Sequence, residues 1–372
     1  MKIAILGTRG VPASYGGFET FAEELGRRLV DRGHEVTVYG RSGFVPEHLE
    51  GHRGMRLVVL PSIRTKHLET VSHTLVSAVH ASGAHYDAVL MCNAANAPFV
   101  RILQVAGVPV ALNVDGLERK RRKWGAAGRA YYRLCELLAA VVPDALVTDA
   151  EVIRRYYRRS YRAGSTMIAY GGDLEPPTGT ATLDGLGLVP DGYALYVSRF
   201  EPENNPDRVV EAWRKLDSDR RLVMVGGAPY ADAFIRSFTE GADPRVLFPG
   251  AIYGEGYREL LSHAHAYLQG TEVGGTHPAL VEAGCCNLVA HIETVRRSGI
   301  RPVVCLNHFH TDTDDEIAVV RQVVAGTGAR FAVAKHWLTG GAGALELAEA
   351  VIDACAEESQ FEFLYELETP HR

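Results

Sequence analysis

Several residue groups in this chain are of the types and spacings that can grip a diphosphate. Arg199 follows the apolar run 193–197, and a guanidinium just past a strand end is well placed to neutralise a diphosphate. Gly274-Gly275-Thr276-His277-Pro278 precedes the helical run 279–283. Backbone N–H groups after Gly275, helped by the Thr276 hydroxyl, can hold a distal phosphate at the positive end of that helix. Glu282 lies further along the same helix, where a carboxylate can accept both hydroxyls of a ribose. The competing reading is an ordinary helix start with a surface glutamate. A second glycine pair, Gly16-Gly17, ends the loop that follows the apolar run 1–6. Glycines there let backbone N–H groups approach a phosphate, although a tight strand-to-helix turn with no ligand explains them too. The first loop lacks G-x-G-x-x-G spacing, and no G-x-x-x-x-G-K-[ST] loop occurs in the chain. Arginine, backbone amides and a helix dipole can stabilise a leaving diphosphate without a metal, so neither metal nor cofactor is expected.

These residues need a scaffold of alternating strands and helices. Residues 1–6 read as a buried parallel strand. Phe18, Phe21, Ala22, Leu25 and Leu29 recur at helical spacing, and Gly33 stops that helix. Candidate strands follow at 36–39, 57–60, 88–91, 108–112, 145–148 and 168–170. A second series runs 193–197, 222–225, 246–248 and 266–268. The alternation continues through helix 287–298, strand 302–306, helix 313–327, strand 330–334 and helix 344–357. The expectation is an α/β protein of two doubly wound Rossmann-like domains with a ligand cleft near the strands' C-terminal ends. Residues 1–172 form the first domain, 173–190 a Gly/Pro/Thr-rich linker, 191–283 the second domain and 284–372 a segment that completes it.

Composition narrows the partners. At 372 residues and 47% hydrophobic, the chain can bury two cores. A net charge of −6 argues against nucleic acid as a partner of the whole molecule. Positive charge is local: Glu118-Arg119-Lys120-Arg121-Arg122-Lys123 sets one acid against five bases, and 154–162 holds Arg154, Arg155, Arg158, Arg159 and Arg162 with no acid. Both runs read either as solvated helix faces or as an approach to an anionic surface. The six cysteines include no C-x-x-C pair, and the strand-like N-terminus differs from a signal peptide, so the reading is cytoplasmic. The longest apolar stretch, 134–142, is short of a membrane span and reads as a buried helix.

The motifs taken together carry a resemblance. Residues 1 to about 282 resemble a family 4 glycosyltransferase of the GT-B fold, in the branch that includes bacterial rhamnosyltransferases. The loop from Gly7 to Thr20, Asn113-Val114-Asp115-Gly116-Leu117-Glu118, Lys123-Trp124, Tyr170-Gly171-Gly172-Asp173, the stretch from Arg199 to Asn205 and the stretch from Gly274 to Glu282 carry it. The resemblance implies retaining transfer of a sugar, rhamnose in that branch, from a nucleotide diphosphate donor to a saccharide or lipid-linked acceptor at the inner face of a membrane. Arg199 and the Gly275-Thr276-His277 loop would contact the diphosphate, Glu282 the ribose, and Gly16 and Gly17 would approach from the other domain. Asp115 would either orient sugar or acceptor in the cleft or cap a helix through Gly116. Asn204 and Asn205 stand where many relatives have a lysine, and Gly274 occupies the place of a common glutamate.

From about residue 284 the match changes. Asn287-Leu288-Val289-Ala290-His291-Ile292-Glu293, Pro302-Val303-Val304-Cys305-Leu306-Asn307 and Thr311-Asp312-Thr313-Asp314 resemble an internal fragment of formate–tetrahydrofolate ligase. Phe309 and Trp337 match aromatics that this family stacks on a pterin, or else they pack in whatever core forms. The ligase's phosphate-binding loop has no counterpart here, so the resemblance implies no formyl phosphate synthesis. Three readings therefore stand: a transferase weakened by the C-terminal replacement, a fusion that binds nucleotide-sugar without turnover, and a ligase fragment without its ATP site.

Overall fold

Strand β1 (Lys2–Leu6) shows why the N-terminal sheet forms. Ala4 and Leu6 enter one apolar cluster and Ile5 the other, so every residue of its second half is buried and no polar alternation survives. Helix α1 (Gly17–Asp31) presents Phe18, Phe21, Ala22 and Leu29 to the Ile5 side, and Gly33 ends it at φ +83°, in the left-handed region. The first series continues with β2 (Glu35–Arg41), β3 (Gly51–His52), β4 (Met55–Leu60), α2 (Glu69–Ser82), β5 (Ala88–Cys92), α3 (Val100–Val105) and β6 (Val110–Val114). It closes with α4 (Ala126–Val141), β7 (Ala145–Thr148), α5 (Glu151–Tyr161) and β8 (Thr166–Met167). The strands form one eight-stranded sheet ordered β3-β4-β2-β1-β5-β6-β7-β8, parallel except for the β3–β4 pair.

A second sheet follows α6 (Ala181–Leu186), a short helix inside the stretch expected to be a linker. It comprises β9 (Tyr193–Arg199), α7 (Pro206–Arg214), β10 (Arg221–Gly227), α8 (Asp232–Thr239), β11 (Val246–Gly250), α9 (Gly254–Ser262) and β12 (Ala266–Leu268). The strand order is β11-β10-β9-β12, all parallel. Ala194, Tyr196, Leu222 and Met224 pack against Val210 and Trp213 of α7 and Phe238 of α8.

Helix α10 (Pro278–Arg297) is continuous through the residues where the sequence resemblance changes. Glu282, Cys285 and Ile292 are its buried positions, on one stripe at spacings of three and seven. Beyond it lie β13 (Val303–Asn307), α11 (Asp314–Thr327), β14 (Arg330–Ala334), α12 (His336–Thr339) and α13 (Leu345–Cys355). Thr313 and Glu316 cap α11 reciprocally: the Thr313 hydroxyl accepts the Glu316 N–H at 3.2 Å, and the Thr313 N–H donates to the Glu316 carboxylate at 2.8 Å.

The computed structural model describes residues 1–362 except 15, 47, 66–67, 122–123, 172–176, 178, 229–230, 273–277, 309–311 and 358–359, and the side chains of 278, 336 and 337. The chain divides into two units. Met1–Tyr170 with Thr180–Pro278 form one, and Gly171–Gly179 with Ala279–Arg372 the other. Both sheets of the doubly wound α/β scaffold lie in the first unit. The expectation that the ligase-like strands complete the second sheet needs correction. Strands β13 and β14 pair with each other, in parallel over five residues, as a separate two-stranded sheet. The βαβ connection through α11 gives β13 a partner close in sequence, at less loop-closure cost than a distant sheet.

Candidate functional site

Ligand crevices in open parallel sheets form where strand order reverses, outside the strands' C-terminal ends. In the first sheet that point lies between β1 and β5, and in the second between β9 and β12. The candidate residues in the described part of the first unit fall at these two points.

At the first, the loop from Gly7 to Gly16 crosses the sheet edge. Its glycines serve packing as well as any ligand. Gly7 (φ +92°) would place a Cβ 2.3 Å from the Cys92 carbonyl oxygen, and Gly10 (φ +105°) 2.7 Å from the Gly40 Cα. Two buried glutamates of α1 hold the loop: the Arg9 N–H donates to Glu19 at 2.8 Å and the Ala13 N–H to Glu23 at 2.6 Å. Those loop amides are therefore committed to protein carboxylates. Gly16 is different. It caps α1 in extended backbone (φ −170°), and an added Cβ would make no contact closer than 3.5 Å. Neither strain nor crowding requires a glycine there, which leaves room at the helix start, and Gly17 beside it is exposed.

Asp115 is the first residue after β6, half-buried. Strand β6 runs two residues further than the apolar run suggested, which brings Asp115 to the strand tip. Its carboxylate acts on two neighbours. Burial, then the charges of Asp115 and Asp149, hold the Tyr170 hydroxyl well above its ordinary pKa. Burial, then Glu19 and Asp115, push the Cys92 thiol up. Tyr170 packs against Phe18 and Phe21 of α1 and accepts a hydrogen bond from Asn113 at 3.2 Å.

A cluster that sequence reading missed sits at the end of β2. Glu69, at the start of α2, pairs with Arg9 at 3.1 Å and Arg41 at 2.9 Å, all three largely buried. Burial alone would raise the Glu69 pKa, but the two guanidinium groups more than offset it and leave it lowered. Beside it His73 Nε2 donates to the Gly40 carbonyl at 2.9 Å, and burial pushes the imidazole down to about 4.

At the second crevice, Arg199 is the last residue of β9 and half-buried. The two asparagines that depart from the family pattern have structural work. Asn204 Nδ2 donates to the Arg199 carbonyl at 2.6 Å. Asn205 sits at φ +53° ahead of α7 and donates to the Gly270 carbonyl at 2.8 Å and the Glu272 carboxylate at 3.1 Å. The Glu272 N–H donates to the Glu203 carbonyl at 2.9 Å. Residues 203–205 and 270–272 are thus zipped together at the switch point, beside Arg199.

One side chain joins the two crevices. Arg121, in a run that reads either as a solvated face or as an approach to an anionic surface, is 3% exposed. Its Nε lies 2.6 Å from Glu118 Oε1 and its Nη1 3.3 Å from Glu203 Oε1, and Glu203 is 1% exposed. Arg119 of the same run pairs with Glu136 at 3.1 Å and donates to the Tyr156 hydroxyl at 2.8 Å.

Gly275, Thr276, His277 and Phe309 lie outside the described residues, as does the Trp337 side chain. Glu282 is buried on α10, in the second unit.

Known proteins divide along similar lines. A family model described as formate–tetrahydrofolate ligase matches residues 256–372, so the likeness reaches back into α9, upstream of residue 284. Formate–tetrahydrofolate ligase of Syntrophobacter fumaroxidans is 62% identical over 89 residues, which is 24% of this chain and 15% of that enzyme. The enzyme of Dehalococcoides mccartyi (strain ATCC BAA-2266) is 57% identical over 94 residues, 25% of this chain and 16% of that one. The chain spans about 15% of the length of the curated relatives it matches. Its C-terminal part resembles an internal fragment of formate–tetrahydrofolate ligase. Residues 86–173 match a model described as a domain of unknown function, DUF1972. Among solved structures, Anabaena HepE in complex with UDP and glucose aligns with a TM-score of 0.60 at 15% identity, over 95% of both chains. An S. aureus TarM mutant in complex with UDP, Fondaparinux and alpha-GlcNAc-glycerol aligns at 0.57 and 8% identity, over 95% of this chain and 96% of that one. The chain has the GT-B fold. At these identities the likeness is one of fold.

Proposed function

We propose that the chain binds a nucleoside diphosphate sugar and is built on the plan of a retaining glycosyltransferase. The observation that carries this is Arg199 at the reversal point of the second sheet, beside the 270–272 stem, in a GT-B fold. In this reading Arg199, Gly275, Thr276 and His277 hold the diphosphate, and Gly16 and Gly17 approach from the first sheet; the ribose role of Glu282 rests on the motif resemblance alone. HepE and TarM were captured with UDP, which makes a uridine nucleotide the first donor to test. The sugar's C1–oxygen bond to the diphosphate breaks as a bond to the acceptor oxygen forms on the same face. The acceptor's proton passes to the leaving phosphate, and Arg199 stabilises the charge that develops there. Asp115, at the tip of β6, orients sugar or acceptor. Rhamnose remains the sugar that the motif branch favours. The test is calorimetric titration with UDP, GDP, dTDP and their sugars. Binding that is lost in Arg199→Ala supports the site, whereas affinity unchanged in both Arg199→Ala and Glu282→Ala places it elsewhere.

The acceptor reading, a saccharide or lipid-linked chain at a membrane face, draws on α4 and α5. The apolar stretch expected to be a buried helix is helical and buried on one face: Cys135, Glu136 and Ala139 of α4 are buried, whereas Leu134, Leu137 and Val141 are 51%, 49% and 67% exposed. Tyr156 and Tyr161 turn inward, each donating to Glu136 at 2.7 Å, so the tyrosines of α5 anchor it while its arginines face out. Glu151 pairs with Arg154 and Arg155. Arg158, Arg159 and Arg162 have no ion-pair partner among the described residues. Arg158 and Arg162 line a cavity of about 330 Å³ with Ser165. Exposed apolar side chains on α4 and outward-facing arginines on α5 suit an anionic bilayer. No described helix is long and apolar enough to cross one. Co-sedimentation with phosphatidylglycerol vesicles is expected to fall steeply with salt, and binding that ignores salt would count against this surface.

A further inference from the structure

We propose that Arg121 is a positioning residue that fixes the spacing between the two crevices. Its functional readout rests on the nucleotide-sugar reading, whereas its geometric readout does not. Arg121 lies on the segment that leaves β6 through Asp115. Its guanidinium crosses to Glu203, whose neighbour Asn204 holds the Arg199 carbonyl and whose own carbonyl holds residue 272. One buried cation thus ties the Asp115 strand tip to the Arg199 strand end. The turn that carries it is anchored on both sides. The Arg121 N–H donates to the Glu118 carbonyl at 3.0 Å, and Trp124 packs on Tyr132 with ring centroids 4.9 Å apart. The arginine holds Glu203 through Oε1, and Oε2 has no hydrogen-bond partner among the described residues. A buried ion pair gains little stability over apolar packing of the same volume, and its best-attested use is to fix a register. Here the register is the spacing of the two sheets that carry the candidate residues.

The test places non-cysteine spin labels at exposed positions 105 and 216 of the full-length chain, one on each side of the pair. The distance distribution is expected to be narrow in the parent chain, at least about twofold broader in Arg121→Gln and Glu203→Gln, and near-parental in Arg121→Lys. UDP dissociation constants should rise about tenfold in either glutamine variant, with no further loss in the double variant, as coupled partners require. Where a turnover assay exists, the donor KM should move more than kcat. Unchanged distance distributions in both single variants overturn the proposal, and so do UDP losses that multiply in the double variant. If the parent chain binds no UDP, the nucleotide reading falls and the distances still decide the clasp. If Arg121→Gln does not fold, Glu203→Gln carries the broadening comparison and Arg121→Lys the near-parental control.

Discussion

His73 makes the first unit sensitive to mild acid. It is buried and neutral, and its Nδ1 has no hydrogen-bond partner among the described residues, so a second proton there would meet no acceptor and would face Arg41. Its folded pKa, about 4, lies below the unfolded value of 6.5. The unfolded chain therefore takes up a proton first as pH falls. The contribution is present above pH 6.5 and lost between 6.5 and 4. At 1.36 kcal/mol per pH unit, that loss is about 3 kcal/mol. Denaturant midpoints measured from pH 7 to pH 4.5, before carboxylates such as Glu69 titrate, should fall, and His73→Gln should flatten the slope. At the same scale, Arg199→Ala should weaken nucleotide binding by ~1.5–3 kcal/mol, the range for a charged hydrogen bond, as read by titration calorimetry. The strand-end positions of Arg199 and Asp115 were legible because each follows an apolar run that reads as a strand. The Arg9–Glu69–Arg41 cluster and the Arg121–Glu203 pair were not. Their partners stand 28 to 82 residues apart, and pairing at that distance is decided by which strand ends meet.

Elements were readable where one residue type dominated a run. The buried strands of both sheets announce themselves as short apolar stretches bounded by glycine, and α1 by its apolar spacing and Gly33. Strand β6 slipped by two residues because Asn113 is buried in it, a polar residue whose Nδ2 donates to Tyr170. The linker reading missed α6 because its N-terminal amides are capped from afar. Glu259 of α9 accepts the Thr182 N–H at 3.0 Å and the Leu183 N–H at 2.8 Å. Burial would raise the Glu259 pKa, and these amides more than offset it. That stabilisation is present above the ordinary carboxylate range and lost as pH falls through the lowered value. Glu259→Gln keeps the shape and removes the charge. It should cost ~1–2 kcal/mol in urea denaturation at pH 7, and less at a pH low enough to protonate the parent carboxyl. An equal cost at both pH values would show that the charge is not what holds α6.

For the whole molecule, two lineages of sequence meet in one chain, and the chemistry of each sets a different expectation. ATP activation of formate needs a phosphate cradle that this sequence lacks, so formate- and tetrahydrofolate-dependent ADP release should stay at background. Sugar transfer depends on placement to within about an ångström, and small misplacement costs roughly 100-fold. Nucleotide affinity should therefore survive better than turnover. Grafting a glycosyltransferase-like segment after Glu282 should raise kcat and barely change the UDP dissociation constant. Turnover unaffected by that graft would mean that the ligase-like segment already serves. The change of resemblance read from the sequence falls inside α10, although the family likeness starts upstream in α9, and the stripe of Glu282, Cys285 and Ile292 passes through that point unbroken. A helix counts residues as angle, about 100° for each. The junction therefore has a phase as well as a place: one residue inserted at Gly284 swings Ile292 and everything after it by about 100° relative to Glu282, whereas four residues bring it back to within about 40°. A length series at this point should recover stability with the period of a helical turn.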